Sequence, residues 1–113
     1  MRIVNLEEFR KLPEGVLFME YHSTAFGPLT IKGETWESDY LECIPFRDLD
    51  TQDSKEYYEV LKHMEETGEP RPIEISYSRE GLFEKDKKYA IIEKGDYDKF
   101  LNHIQDLGYY EGN

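Results

Sequence analysis

Two stretches of this chain repeat their apolar residues at helical spacing and end on a glycine, which constrains the fold more than any other feature. In the first, Tyr57, Val60, Leu61 and Met64 recur behind Asp53 or Ser54 as a cap, and Gly68-Glu69-Pro70-Arg71-Pro72 stops the run near Thr67. In the second, Gly95-Asp96 opens a stripe of Tyr97, Phe100, Leu101, Ile104 and Leu107 that closes at Gly108. A shorter helix is expected over residues 5–12, with Asn5 as N-cap, Glu8 as the returning carboxylate of a capping box, and Leu6, Phe9 and Leu12 on one face. Pro13-Glu14-Gly15 then turns the chain. An amphipathic helix must cover apolar surface, so the two long stripes are expected to face a core.

Between the helices the period changes from helical to alternating. Residues 16–22 suit a strand, and residues 29–32 begin a second that Gly33-Glu34 interrupts or turns. Residues 35–44 form a third candidate, with Trp36, Ser38, Tyr40 and Glu42 on one face and Asp39, Leu41 and Cys43 on the other. Ile73, Ile75 and Tyr77 alternate with Glu74, Ser76 and Ser78 as a half-buried strand, residues 79–87 turn with Leu82-Phe83 as a buried anchor, and residues 89–93 are the last strand. Short connections favour antiparallel pairing. The expectation is an α+β fold with a small, mostly antiparallel sheet of four or five strands packed with three helices, in one acidic domain over residues 1–113.

Charge narrows the function. Twenty-five acidic residues against fourteen basic ones give a formal charge of -11, which disfavours direct contact with nucleic acid or an anionic membrane. The excess is uneven: residues 34–70 hold twelve acids and three bases, a net of -9, leaving -2 elsewhere. Trp36, Tyr40, Phe46, Tyr57 and Tyr58 lie in the same interval. Acidic residues steer encounter with a basic partner while buried aromatics supply affinity, so the candidate interaction residues are Trp36, Glu37, Asp39, Tyr40, Asp48, Asp50, Asp53, Glu56 and Glu59, with Phe26 in the loop before Gly27-Pro28. Phe26 either plugs the underside of the sheet or presents its ring to a partner, and the acidic run either binds or only solvates the surface.

Motifs for other chemistry are missing. His22, His63 and His103 lie about forty residues apart with no His-Glu-x-x-His spacing. Asp48, Asp50 and Asp53 are hard-ligand material but lack the glycine and spaced glutamate of a calcium loop, and no Gly-x-Ser-x-Gly elbow or phosphate-cradling loop occurs. Lone Cys43, in an apolar run, is expected to be a core residue in a reducing cytosol. No run approaches the ~20 apolar residues that span a bilayer. No enzyme activity, metal or cofactor is expected.

The run Leu6-Glu7-Glu8-Phe9, Leu12-Pro13-Glu14-Gly15-Val16-Leu17-Phe18, then Tyr21 and Phe26-Gly27-Pro28-Leu29-Thr30-Ile31-Lys32-Gly33-Glu34-Thr35 resembles the start of a group of small acidic proteins encoded by bacteriophages and prophages. Arg79-Glu80-Gly81-Leu82-Phe83 and Tyr89-Ala90-Ile91-Ile92-Glu93-Lys94 are similar to the same group. The resemblance carries no functional residues over. It implies a context in which small acidic proteins inhibit host defence, including anti-CRISPR proteins and mimics of DNA charge. The expected function is a protein-interaction module, an inhibitor acting in the host cytoplasm on a host protein with a basic surface, with a nucleic-acid-binding defence complex as the leading class. A phage assembly protein forming a homo-oligomer, such as a homodimer, and an immunity protein for a basic toxin nuclease are the alternatives.

Overall fold

The structure, a computed structural model, describes residues 1–37, 39–80 and 86–108. Among these, one antiparallel sheet takes seven strands: β1 (Arg2–Asn5), β2 (Leu17–His22), β3 (Ala25–Phe26), β4 (Thr30–Trp36), β5 (Asp39–Cys43), β6 (Ser78–Arg79) and β7 (Lys88–Ile91). Three helices accompany it: α1 (Leu6–Arg10), α2 (Ser54–Thr67) and α3 (Lys94–Leu107). The main strand order is β1-β7-β2-β4-β5-β6, with β3 paired to β2. The fold is α+β and antiparallel, but the expected four or five strands are too few.

The extra strands come from short pairings that alternation does not register. β1 pairs with β7, placing Ile3 opposite Ala90 and Val4 opposite Tyr89. β3 forms a tight hairpin with β2 through Ser23 and Thr24, both at positive φ (46° and 67°), the left-handed geometry that matches the twist of two-residue hairpins. Gly33-Glu34 does not end its strand. β4 runs on to Trp36 across a bulge that shifts the register with β5 between Lys32 and Thr35. Gly33 is required there by packing, because a Cβ would lie 2.9 Å from both Leu41 Cβ and Tyr77 Cδ1. Residues 73–78 are not the expected strand: residues 73–77 make one isolated bridge, Leu49 to Ile73, only Ser78 joins β6, and Ile73, Ile75 and Tyr77 remain exposed. The Leu82-Phe83 anchor lies outside the described residues.

One face of the sheet carries the core. Val4, Leu6, Phe9, Phe18, Tyr40, Tyr89 and Ile91 form a single buried cluster. Phe9 of α1 is its keystone, stacked on Tyr89 at a centroid distance of 3.9 Å and meeting Phe18 and Tyr40 edge-on at 4.7 and 5.0 Å. Asn5 caps α1 by accepting the Glu8 N–H at 2.9 Å. Lys32, buried beneath α1, donates to Thr35 Oγ1 and to the Gly33 carbonyl, and its ammonium lies 5.7 Å from the Phe9 ring centroid. Burial holds Lys32 below the ordinary lysine range, with Glu14 opposing the shift. Cys43 is buried, as expected of a core residue.

The two long helices depart from expectation. Both form where the caps and stops place them: Asp53 accepts the Glu56 N–H at 2.8 Å, and Gly68 and Gly108 take left-handed C-cap conformations (φ 71° and 69°). Yet neither buries a single residue. Leu61 is 38% exposed and Tyr58 68%, while on α3 Phe100 and Leu107 stand 59% and 65% exposed. α1 is the helix that packs on the sheet, against β1 and β7.

Candidate interaction surface

The acidic interval folds into three parts with different fates. At its start Asp39 is buried and committed, accepting the Tyr40 N–H at 2.8 Å and pairing with Arg79 Nε at 2.8 Å. Tyr40 belongs to the core. Burial and the Tyr89 hydroxyl, 3.4 Å from its own, push its phenol far above the ordinary range. Neither side chain is available to a partner. Trp36 is half-exposed with the Arg79 guanidinium 5.2 Å over its ring, and Glu37 is exposed beside it.

Glu42 turns inward to a second cluster that sequence reading missed. Glu20 and Glu80 both hold Lys87, the Glu20 contact measuring 2.9 Å. Burial opposes the charge on Lys87, but hydrogen bonds to Glu80 and Glu20 outweigh it and raise the lysine above its ordinary range. Burial first, then Glu20 and Glu80, raises Glu42 above the usual carboxylate range, with Lys87 and Arg47 opposing. These residues are 67 positions apart at the extremes, so no local spacing reports the cluster.

The remaining part is the surface. The connection over residues 45–53, α2 and the segment over residues 73–78 enclose an open groove of about 980 Å³, walled by Asp48, Asp53, Tyr57, Tyr58, Leu61 and Glu74 among others. Its walls are pinned by backbone and hydroxyl bonds. Glu74 N–H donates to the Asp48 carbonyl at 2.8 Å, Ser76 Oγ to Asp48 Oδ2 at 3.1 Å, and Tyr57 Oη to the Arg47 carbonyl at 2.8 Å. Glu56 reaches back past the N-cap Asp53 to accept the Gln52 N–H at 3.1 Å. Asp50 and Glu59 are exposed nearby in the chain.

Phe46, just before the groove, is the sharpest local feature. Its φ is 68°, a left-handed conformation that a bulky side chain rarely adopts, and its ring is 79% exposed. Strain that leaves a large ring in solvent marks a position for a functional hypothesis. Phe26 neither plugs the sheet nor stands alone: it is 50% exposed and rests edge-on against Tyr21 at 5.4 Å.

Thus the structure brings Asp48 and Asp53 together around one groove, which Arg47 also lines, and ties Glu56 to it through the Gln52 N–H; Asp50 and Glu59 are exposed neighbours in sequence, while Trp36 and Glu37 form a separate patch and Phe26 a third. Among the described residues, no group of three histidine, cysteine, aspartate or glutamate side chains is placed to hold a metal ion, and no helix is long and apolar enough to cross a membrane. No family model, curated protein or solved structure matches the chain.

Proposed function

We infer that the chain is a protein-interaction module that docks a basic surface of a partner into the groove beside α2. The observation that carries this reading is that exposed Tyr58 and Leu61 line the groove with Asp48, Asp53 and Glu74, against one base, Arg47, while exposed Phe46 and the acids Asp50, Glu56 and Glu59 lie close by in sequence. Anchors left in solvent at the mouth of an acidic groove suit a partner that brings basic side chains around an apolar or aromatic centre. The carboxylates would raise the encounter rate, and the rings would slow dissociation.

The leading partner class is a nucleic-acid-binding host defence protein, with the chain acting as a phage-encoded inhibitor in the host cytoplasm. Support comes from the -9 charge of residues 34–70 and from the resemblance to small acidic phage proteins. A basic groove built for phosphate accepts ordered carboxylates for the same electrostatic reason. Competition tests it: duplex DNA and this chain should displace one another from the captured host protein. Simultaneous binding of both, without mutual weakening, overturns the mimicry.

A further inference from the structure

We propose that two copies of this chain associate through α3, pairing the helices antiparallel along Tyr97, Phe100, Ile104 and Leu107. These four residues follow one another at intervals of three, four and three, the spacing that keeps an apolar seam facing a second helix. Three of them are 42%, 59% and 65% exposed, at Tyr97, Phe100 and Leu107, and α3 buries none of its residues within its own chain. The seam continues onto the sheet. A cleft of about 430 Å³ opens between Tyr97 and Val16, Leu17, Ile31 and Ile92, with Glu14 and Lys94 also lining it.

Surface area supports another copy as the occupant. The chain exposes 8552 Å², whereas a folded monomer of its 13.5 kDa mass exposes about 6,500 Å². The radius of gyration, 16.6 Å, likewise exceeds the roughly 13 Å of a compact chain this long. The excess, about 2,000 Å² per chain over the whole surface, is more than the roughly 800 Å² that each partner of a standard stable interface buries. Charge points the same way. α3 carries Lys94 and Lys99 against Asp96, Asp98 and Asp106, a net of -1, with Lys94 paired to Asp98 at 2.7 Å and Asp96 paired to the N-terminal ammonium. Contact through α3 brings two chains of charge -11 together at a nearly neutral strip and leaves residues 34–70 outside the seam. An antiparallel arrangement sets Tyr97 opposite the second copy's Leu107 and Phe100 opposite its Ile104, and it opposes the two helix dipoles.

Sedimentation equilibrium of the full chain over a concentration series tests this. The expected mass is twice 13.5 kDa, with Phe100→Asp and Leu107→Asp each weakening the dimer at least about tenfold. Both sites are largely exposed within one chain, so far-UV circular dichroism should be retained. As a second readout, a mixture of Phe100→Cys and Ile104→Cys chains should form a mixed disulfide in greater yield than either chain alone forms its own; Cys43 is buried and does not compete. A monomer at every concentration, a dimer indifferent to both aspartates, or preferential Phe100→Cys homodimers would overturn the antiparallel seam.

Discussion

Phe46 and Glu42 are four residues apart, and each holds a conformation or charge state that folding alone does not favour. A left-handed φ of 68° at a phenylalanine costs about 1–3 kcal/mol in backbone strain, and an exposed ring returns little of that through burial. Phe46→Gly should therefore keep or raise the urea unfolding midpoint while weakening partner binding about tenfold, since glycine accepts this φ and removes the ring. Lower stability together with unchanged binding would mean that the ring serves the fold. For Glu42 the direction of the shift fixes the sign. Its carboxyl is raised above the ordinary value of 4.5, so the folded chain holds the proton more tightly than the unfolded chain. The cost of charging it is absent below that value and fully present above the folded one, and stability from this group falls as pH rises through the interval. Glu42→Gln should gain up to about 1 kcal/mol above the interval, since solvent screens a half-buried group, and nothing below it. Urea unfolding at a series of pH values checks this; an equal gain at all pH values would assign the effect to packing instead.

Element by element, legibility followed how local the signal was. The caps were readable because each needs only neighbours in sequence: Asn5 with Glu8, Asp53 with Glu56, and the glycines at 68 and 108. β1 escaped notice because Arg2-Ile3-Val4-Asn5 is a strand only through its pairing with β7, eighty-odd residues away. The bulge in β4 looked like a turn because Gly33-Glu34 also suits one, and the deciding contacts, from Leu41 and Tyr77, are tertiary. Ile73, Ile75 and Tyr77 alternate as a strand should, yet only Ile73 makes a bridge. The stripes on α2 and α3 were real, but an apolar face says that something covers it and not what. The candidate groove residues were legible in part for the same reason. The acidic run named Asp48 and Asp53 of the groove, but it could not separate them from Asp39 and Tyr40, which the fold consumes.

At the scale of the whole molecule, the sheet concentrates its aromatic core under α1 and leaves charge and apolar anchors together at the far part of the chain. The two exposed helix faces differ: α2 borders the groove, and α3 is nearly neutral. A charge-steered complex must weaken with salt because screening acts over about 10 Å at 0.1 M ionic strength. The acids can be removed without removing the cap, since asparagine caps a helix as well as aspartate and the glutamine side-chain oxygen can accept the Gln52 N–H in place of glutamate. The decisive measurement is therefore the affinity of a captured basic host protein, as a function of salt, for the wild-type chain and for the variant carrying Asp48→Asn, Asp50→Asn, Asp53→Asn, Glu56→Gln and Glu59→Gln. The expected result is retained folding, a loss of at least about tenfold at low salt, and a flatter salt dependence. Equal affinity and equal salt dependence would contradict the acidic groove as the binding surface.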